Sequence, residues 1–345
     1  VNRFDELCIF RVAELSDTDR IMSFIKKYWK DTHILANNRP FFLYEFAHKD
    51  HLNVFLTEDR KTGEIQAMMG FFSYSFDEKS EQTDYSGSIL KVRDDCSIPL
   101  LGIETIKRFF ENKRPRQYIG NGSNPITALP WQKRALRHYT GKLKHYYRLN
   151  ENAEYQIAQI SEKRILRIEF QQEYYLQHYK DAEELYAVFD ESAFKNRLPY
   201  KDKWYIKKRY FDHPIYRYFV CGINDGGKVD AVLIGREVSH NGSKIFRIVD
   251  LLGDCSKFRG TGKAWEQLMQ QEGYEYVDIY QYGMDAEVLR QAGFIDKEET
   301  LNNIVPNYFE PFVQENIDIY FHTPCSNSYI FKADGDQDRP NFGNV

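Results

Sequence analysis

"VFLTEDRKTGEIQAMMGF", residues 54–71, and "YFVCGINDGGKVDAVLIG", residues 218–235, read as one object met twice. Each runs apolar strand, polar turn closing on a glycine (Gly63, Gly227), one charged residue, apolar strand. Two such runs around a glycine-bearing turn are a hairpin signal. The second copy starts 164 residues after the first (218 − 54).

Working outward, the neighbours repeat as well. Before each hairpin lies a helical pattern. "LSDTDRIMSFIKKYW" offers Ser16 or Asp17 as N-cap and Ile21, Phe24 and Ile25 as the apolar face. "KDAEELYAVFDESAF" places Leu185, Val188 and Phe189 on one face behind Asp181, Glu183 and Glu184. After each hairpin come a strand, a loop and a helix: "YSGSILKV", "RDDCSIPLLG", "IETIKRFFEN" in the first half, "KIFRIVDLL", "GDCSKFRGTG", "KAWEQLMQQEG" in the second. Another strand and helix close each half. A mixed sheet with helices on both faces satisfies that order. The expected fold class is α/β with a mixed sheet in each of two tandem domains, residues 1–155 and 156–332, followed by a polar tail at 333–345.

The bulk composition agrees with two domains, since 345 residues exceed one compact core. No apolar run approaches the ~18 residues that cross a bilayer, so no stable membrane insertion is expected. Five scattered cysteines without a CxxC pair fit reduced thiols and a cytoplasmic location. Asp334, Asp336 and Asp338 imitate the start of a calcium loop, but Arg339 stands where that loop needs glycine, so no metal is expected. The net charge of −4 hides a basic tract, with eleven Lys/Arg and the single acid Glu111 between Lys107 and Arg148. It reads as a solvated helix face or as a dock for an anionic partner.

The loop at residues 258–264, "FRGTGKA", sits between a strand and a helix. The nucleotide P-loop fails there, with Lys257 at its first glycine and Ala264 at its Ser/Thr. The dinucleotide fingerprint fails at Trp265. Arg/Gln-x-x-Gly-x-Gly/Ala fits, through Arg259, Gly262 and Ala264. Small residues at a helix start let free N–H groups reach a pyrophosphate.

This loop, in this element order, resembles the acetyl-CoA loop of the GNAT N-acyltransferase superfamily, and the layout is similar to the tandem Fem peptidyltransferases and mycothiol synthase. The resemblance implies that Arg259, Gly260, Thr261, Gly262, Lys263 and Ala264 hold the pyrophosphate of acetyl-CoA or another acyl-CoA. It also implies that Leu251 and Leu252 lie along the pantetheine arm. The first half reads Pro99-Leu100-Leu101-Gly102-Ile103-Glu104 at the equivalent place, which implies a degenerate copy shaping the acceptor side.

Acyl transfer to an amine needs a base and a proton for the leaving thiolate. The tyrosine the family carries four residues before "GF" is Leu289 here, so Tyr280 and Tyr282, on one face of the adjacent strand, are the candidate acids. Asp250, a carboxylate inside an apolar strand, is the first candidate base, and Glu310 near the last loop the second. Glu237, His240 and His213 are weaker candidates. "LNNIVPNYFEPF" (301–312) is rich in Asn and aromatics, a composition that suits sugars and also caps cores. The expected activity is N-acetylation of an amino group on an amino sugar or nucleotide sugar for surface polysaccharide, by a monomer or homodimer. The alternatives are a Fem-type transferase drawing on aminoacyl-tRNA and a non-catalytic GNAT-fold binding protein.

Overall fold

The computed structural model describes residues 2–168, 170 and 172–341. They form two compact units. The first holds residues 2–141, 320–326 and 335–341, and the second holds Lys142–Ile319 and Asn327–Asp334.

The sheet of the first unit runs Cys8–Glu14, His51–Asp59, Ile65–Ser73, Asp84–Val92, Gln117–Asn121, Tyr320–Thr323, Tyr139–Lys142. The quoted hairpin is its centre, and its turn passes through Gly63 at φ +70°, which glycine adopts without strain. Asp84–Val92 and Gln117–Asn121 run parallel, and they pair for three residues, Asp84–Ser86 against Gln117–Ile119. Helix Thr18–Tyr28 buries the expected Ile21, Phe24 and Ile25. Helix Leu101–Lys113 presses Ile106 and Phe109 onto Phe55, Met69, Phe71 and Tyr118 of the sheet.

The second sheet repeats the plan: Ile295–Asp296, Lys144–Leu149, Tyr276–Tyr282, Ser243–Gly253, Ala231–His240, Phe219–Asn224, Tyr175–Tyr179. Its hairpin turns at Gly226 (φ +92°), one residue ahead of Gly227. Again one pair is parallel, Phe246–Ile248 against Val277–Ile279. Strand alternation sends Val277 and Ile279 to one face, where Trp265 and Leu289 of the covering helices, together with Phe294, bury them. Tyr276 faces the other way and packs on Tyr147, Ile157 and Val305.

The division differs from a cut at 155. Lys144–Leu149 pairs with Tyr276–Gln281, inside the second sheet, while Tyr320–Thr323 pairs with Gln117–Asn121 in the first. Each half of the sequence thus supplies one strand to the other half's sheet. Residues 333–341 are not a loose tail either, since Ala333, Asp334 and Asp338 are buried.

The first unit also holds His33, half-buried, and His138 and His322, both buried. Burial pushes His33 and His138 down to about 4 and His322 to about 3. His138 Nδ1 and His322 Nδ1 lie 2.8 Å apart and share a hydrogen bond, and burial disfavours the charged form of both rings. A base whose folded pKa lies below its unfolded value of about 6.5 stabilises the fold above that value and ceases to as pH falls toward the folded one. Urea unfolding should therefore show stability dropping between about pH 6.5 and pH 4. Replacing His138 by Asn should flatten that slope.

Candidate functional site

In both units the parallel strands separate after three paired residues, and the gap between them is where a GNAT-like reading places its ligand. In the second unit the chain itself fills this gap. Ile330 and Phe331 pair antiparallel with Tyr282 and Gln281, and the Ala333 N–H donates to the Val249 carbonyl at 2.9 Å. Farther along, the Arg197 guanidinium donates to the carbonyls of Leu251 (2.5 Å) and Gly253 (2.6 Å). Leu251 and Leu252 are buried, and the cavity beside Leu252, Gly253 and Lys201 holds about 20 Å³, room for roughly one water.

Asp250 is fully buried beneath this filling. Its Oδ2 accepts from Lys201 Nζ at 2.6 Å and from the Tyr210 hydroxyl, and its Oδ1 accepts from the Leu251 N–H at 2.9 Å. Lys201 Nζ also reaches Asp334 Oδ1 at 2.8 Å. Two carboxylates share one ammonium, and burial raises the Asp334 pKa against the pull of Lys201.

On the other side of the gap a second buried cluster forms. Arg247 clamps Asp278 with two bonds of 2.9 and 2.6 Å and donates to the Pro306 and Asn307 carbonyls. His145 Nε2 lies 3.0 Å from the same carboxylate and its ring stacks on Tyr280 at 3.9 Å. Burial pushes Asp278 up, but Arg247 and His145 outweigh it and hold the carboxyl at about 2. Lys332 Nζ donates to Asn307 Oδ1 at 2.6 Å and lies 5.5 Å above the Tyr280 ring. Burial drives the Tyr280 phenol well up, so it stays protonated and able to donate. Tyr282 shares that face and is half-buried.

Glu310 stands apart from both clusters. It is half-buried, and its Oε2 accepts from the Tyr216 hydroxyl at 2.7 Å. Glu237 pairs with Lys244 at 3.1 Å, the His240 ring stacks on Phe312 at 3.8 Å, and His213 Nδ1 accepts from the Ile215 and Tyr216 N–H groups. Within "LNNIVPNYFEPF" the side chain of Asn303 is spent on the Tyr147 hydroxyl and on the backbone of residues 161–162. Asn303 and Asn307 are buried, whereas Asn302 is exposed.

The loop follows its strand into a 3₁₀ turn, Cys255–Thr261, and helix Gly262–Glu272. Asp254 caps the turn by accepting from the Ser256 N–H. The glycines do permit close approach, but what approaches is the chain. The Tyr174 N–H donates to the Gly260 carbonyl at 3.0 Å, and a Cβ on Gly260 would meet the Tyr174 ring at 2.1 Å. A Cβ on Gly262 would touch Ile168 at 3.0 Å. Lys263 pairs with Glu173, and Arg259 bonds the Ser256 carbonyl with its guanidinium 5.6 Å from the Phe170 ring. Thr261 is buried and takes the Trp265 Nε1–H at 2.9 Å. Ala264 lines a separate cleft of about 390 Å³ with Leu176, Phe219 and Trp265.

In the first unit the equivalent helix begins at Leu101, after Leu100 at φ +62°, and Leu100 is 59% exposed. Glu104 turns away to Arg108 at 2.8 Å. Residues 335–339 lie beside strand Asp84–Val92: a Cβ on Gly335 would meet the Gly87 carbonyl at 2.8 Å, and Arg339 bonds Ser88 and, at 2.9 Å, Glu45. Among the described residues no group of three or more His, Cys, Asp or Glu is placed to hold a metal.

Much of the basic tract is already paired. Arg108 meets Asp5 and Glu104, Lys113 meets Glu78, Arg116 meets Asp84, and Arg148 meets Glu266. Lys107, Lys133, Arg134 and Arg137 make no ion pair among the described residues.

Lys201, Tyr210, Arg247, Asp278 and Lys332 escaped the sequence reading, and Asp334 was read only as part of an imitation calcium loop. Arg247 and Asp278 carry the signal that marked Asp250, a charge inside an apolar strand. Lys332 and Asp334 follow "YIF" directly, and a charge after so apolar a start is the available sign of a buried segment.

No family model and no curated protein matches the chain. Solved structures do. The chain is similar to a GCN5-related N-acetyltransferase from Anabaena variabilis at 7% identity and TM-score 0.53, covering 92% of this chain and 72% of that one. It is equally similar to a conserved protein of unknown function from Enterococcus faecalis, at 9% identity and TM-score 0.53, covering 92% and 71%. Saccharomyces cerevisiae N-myristoyltransferase with bound myristoyl-CoA aligns at 9% identity and TM-score 0.44, covering 98% and 85%. The chain thus shares its fold with the GCN5-related N-acetyltransferase and with the Enterococcus faecalis protein.

Proposed function

We propose that the chain is an acyl-CoA-dependent N-acyltransferase that moves an acyl group, acetyl in the simplest case, onto an amine. The observation that carries this is the parallel strand pair that opens after Ile248 and Ile279 and leads through Arg259-x-x-Gly262-x-Ala264 into helix Gly262–Glu272. In this reading the amine attacks the thioester carbonyl, the C–S bond breaks, and the thiolate takes a proton from Tyr280 or Tyr282. Asp250 or Glu310 accepts the amine's proton, each giving up a hydrogen bond to do so. The donor's pyrophosphate would meet the helix start at Gly262, beside Arg259, with the arm along Leu251 and Leu252. Ile168, Tyr174 and residues 330–334 occupy part of that ground, so donor binding displaces them. The acceptor remains an amino sugar or nucleotide sugar by chemical class.

Calorimetric titration of CoA and acetyl-CoA tests the reading. Wild type and Gly102→Glu should bind, and Gly262→Glu should lose at least about 100-fold, or ~2.7 kcal/mol. Tyr174→Ala, which removes a competitor for the loop, should bind about tenfold more tightly, or ~1.4 kcal/mol. Absence of binding in every variant overturns it. The cover on the loop favours a second reading in that event, a GNAT-fold protein that does not use CoA. A tRNA-dependent transferase would then show salt-sensitive tRNA binding.

A further inference from the structure

We infer that residues 124–139 of the first unit form a docking surface for anionic lipid bilayers. The segment leaves strand Gln117–Asn121 and returns at Tyr139 by way of the seven-residue helix Leu129–Ala135. It is anchored from within by buried Gln132 and His138. Asn124 accepts from the N–H groups of Ile126 and Thr127 at 2.9 and 3.0 Å, a turn that sets Ile126 outward.

What the segment shows to solvent is unusual in two respects. Its apolar side chains are large and uncovered: Ile126 is 82% exposed, Trp131 52% and Tyr139 43%. Its cations Lys133, Arg134 and Arg137 are exposed and without an ion pair among the described residues, whereas much of the tract around them is neutralised. The sequence carries no acid between Glu111 and Glu151.

Charge complementarity points to an anionic surface, and the aliphatic and aromatic tips choose the kind. A tryptophan or tyrosine ring settles at the headgroup level of a bilayer while basic neighbours hold anionic lipids, each raising partitioning roughly fivefold. RNA would use the rings and the cations as well. It would gain nothing from Ile126, the most exposed large hydrophobic side chain among the described residues, which has no π face to stack on a base. Trp131 and Arg134 are three apart on the helix and therefore neighbours, so insertion and headgroup contact come from one face. The surface does not depend on which acyl donor the protein uses.

Co-sedimentation of the full chain with vesicles tests this. Binding is expected to phosphatidylcholine vesicles containing phosphatidylglycerol, and not to phosphatidylcholine alone. The pair Lys133→Glu and Arg134→Glu should reduce partitioning at least about tenfold, and so should Ile126→Ser with Trp131→Ser. All four positions are exposed, so thermal melting should be unchanged. Failure to bind the anionic vesicles overturns the inference, as does binding that these variants leave intact. tRNA binding lost in the same variants, without vesicle binding, overturns it in favour of an RNA surface.

Discussion

Lys201→Met should destabilise the protein by about 3–5 kcal/mol, the usual cost of leaving a buried charge without its partner. The Lys201 ammonium reaches both Asp250 and Asp334, which are fully buried. Methionine keeps much of the volume and none of the charge, so the loss reports electrostatics rather than a cavity. The pH response carries a sign. Burial raises Asp334, and without Lys201 nothing as strong opposes it. A carboxyl whose folded pKa exceeds its unfolded value favours the fold while protonated and loses that contribution as pH rises through the folded pKa. The variant's deficit should therefore be largest near neutrality and shrink toward about pH 5. Adding Asp334→Asn should recover part of it at neutral pH. Denaturant melts of the three proteins at two pH values decide the matter, and a deficit independent of pH would refute the account.

Arg247→Met should cost a similar amount, about 3–5 kcal/mol, with a different pH signature. In the wild type Asp278 is held at about 2, below its unfolded value. Its contribution is present above about pH 4 and lost as pH falls toward 2. Without the guanidinium, burial governs and the carboxyl moves up. Wild type and variant should then differ most near neutrality and converge below about pH 4. The Pro306 and Asn307 carbonyls also lose their donor, so the loop 301–309 should exchange its amides faster. Hydrogen exchange resolved along the chain would show that directly.

The hairpins and the element order were legible because they rest on local signals, an apolar alternation and a glycine in the turn. Gly63 shows how much that settles, since its left-handed backbone serves the turn read from the sequence. Partner choice is another kind of information. "KHYYRL" announces a strand, but its register against Tyr276–Gln281 is decided by packing over more than 120 intervening residues. The loop shows the same limit. Gly260 and Gly262 correctly signal close approach, while nothing local says that Tyr174 and Ile168 are what approaches. Asp250 stood out as a charge in an apolar strand. Its partner Lys201 lies 49 residues away in a segment of ordinary polar composition, and Asp334 in a run that resembles a tail.

The exchanged strands bear on how the chain is made. Synthesis proceeds from the N-terminus, so when residue 141 has emerged the edge of Gln117–Asn121 still lacks Tyr320–Thr323. The first sheet must wait, one rim open, until some two hundred further residues have left the ribosome. The second sheet meets no such delay for Lys144–Leu149, which is already waiting when Tyr276–Gln281 appears. The nascent first half is thus the stage at which a chaperone, or a neighbouring copy, has an edge to seize.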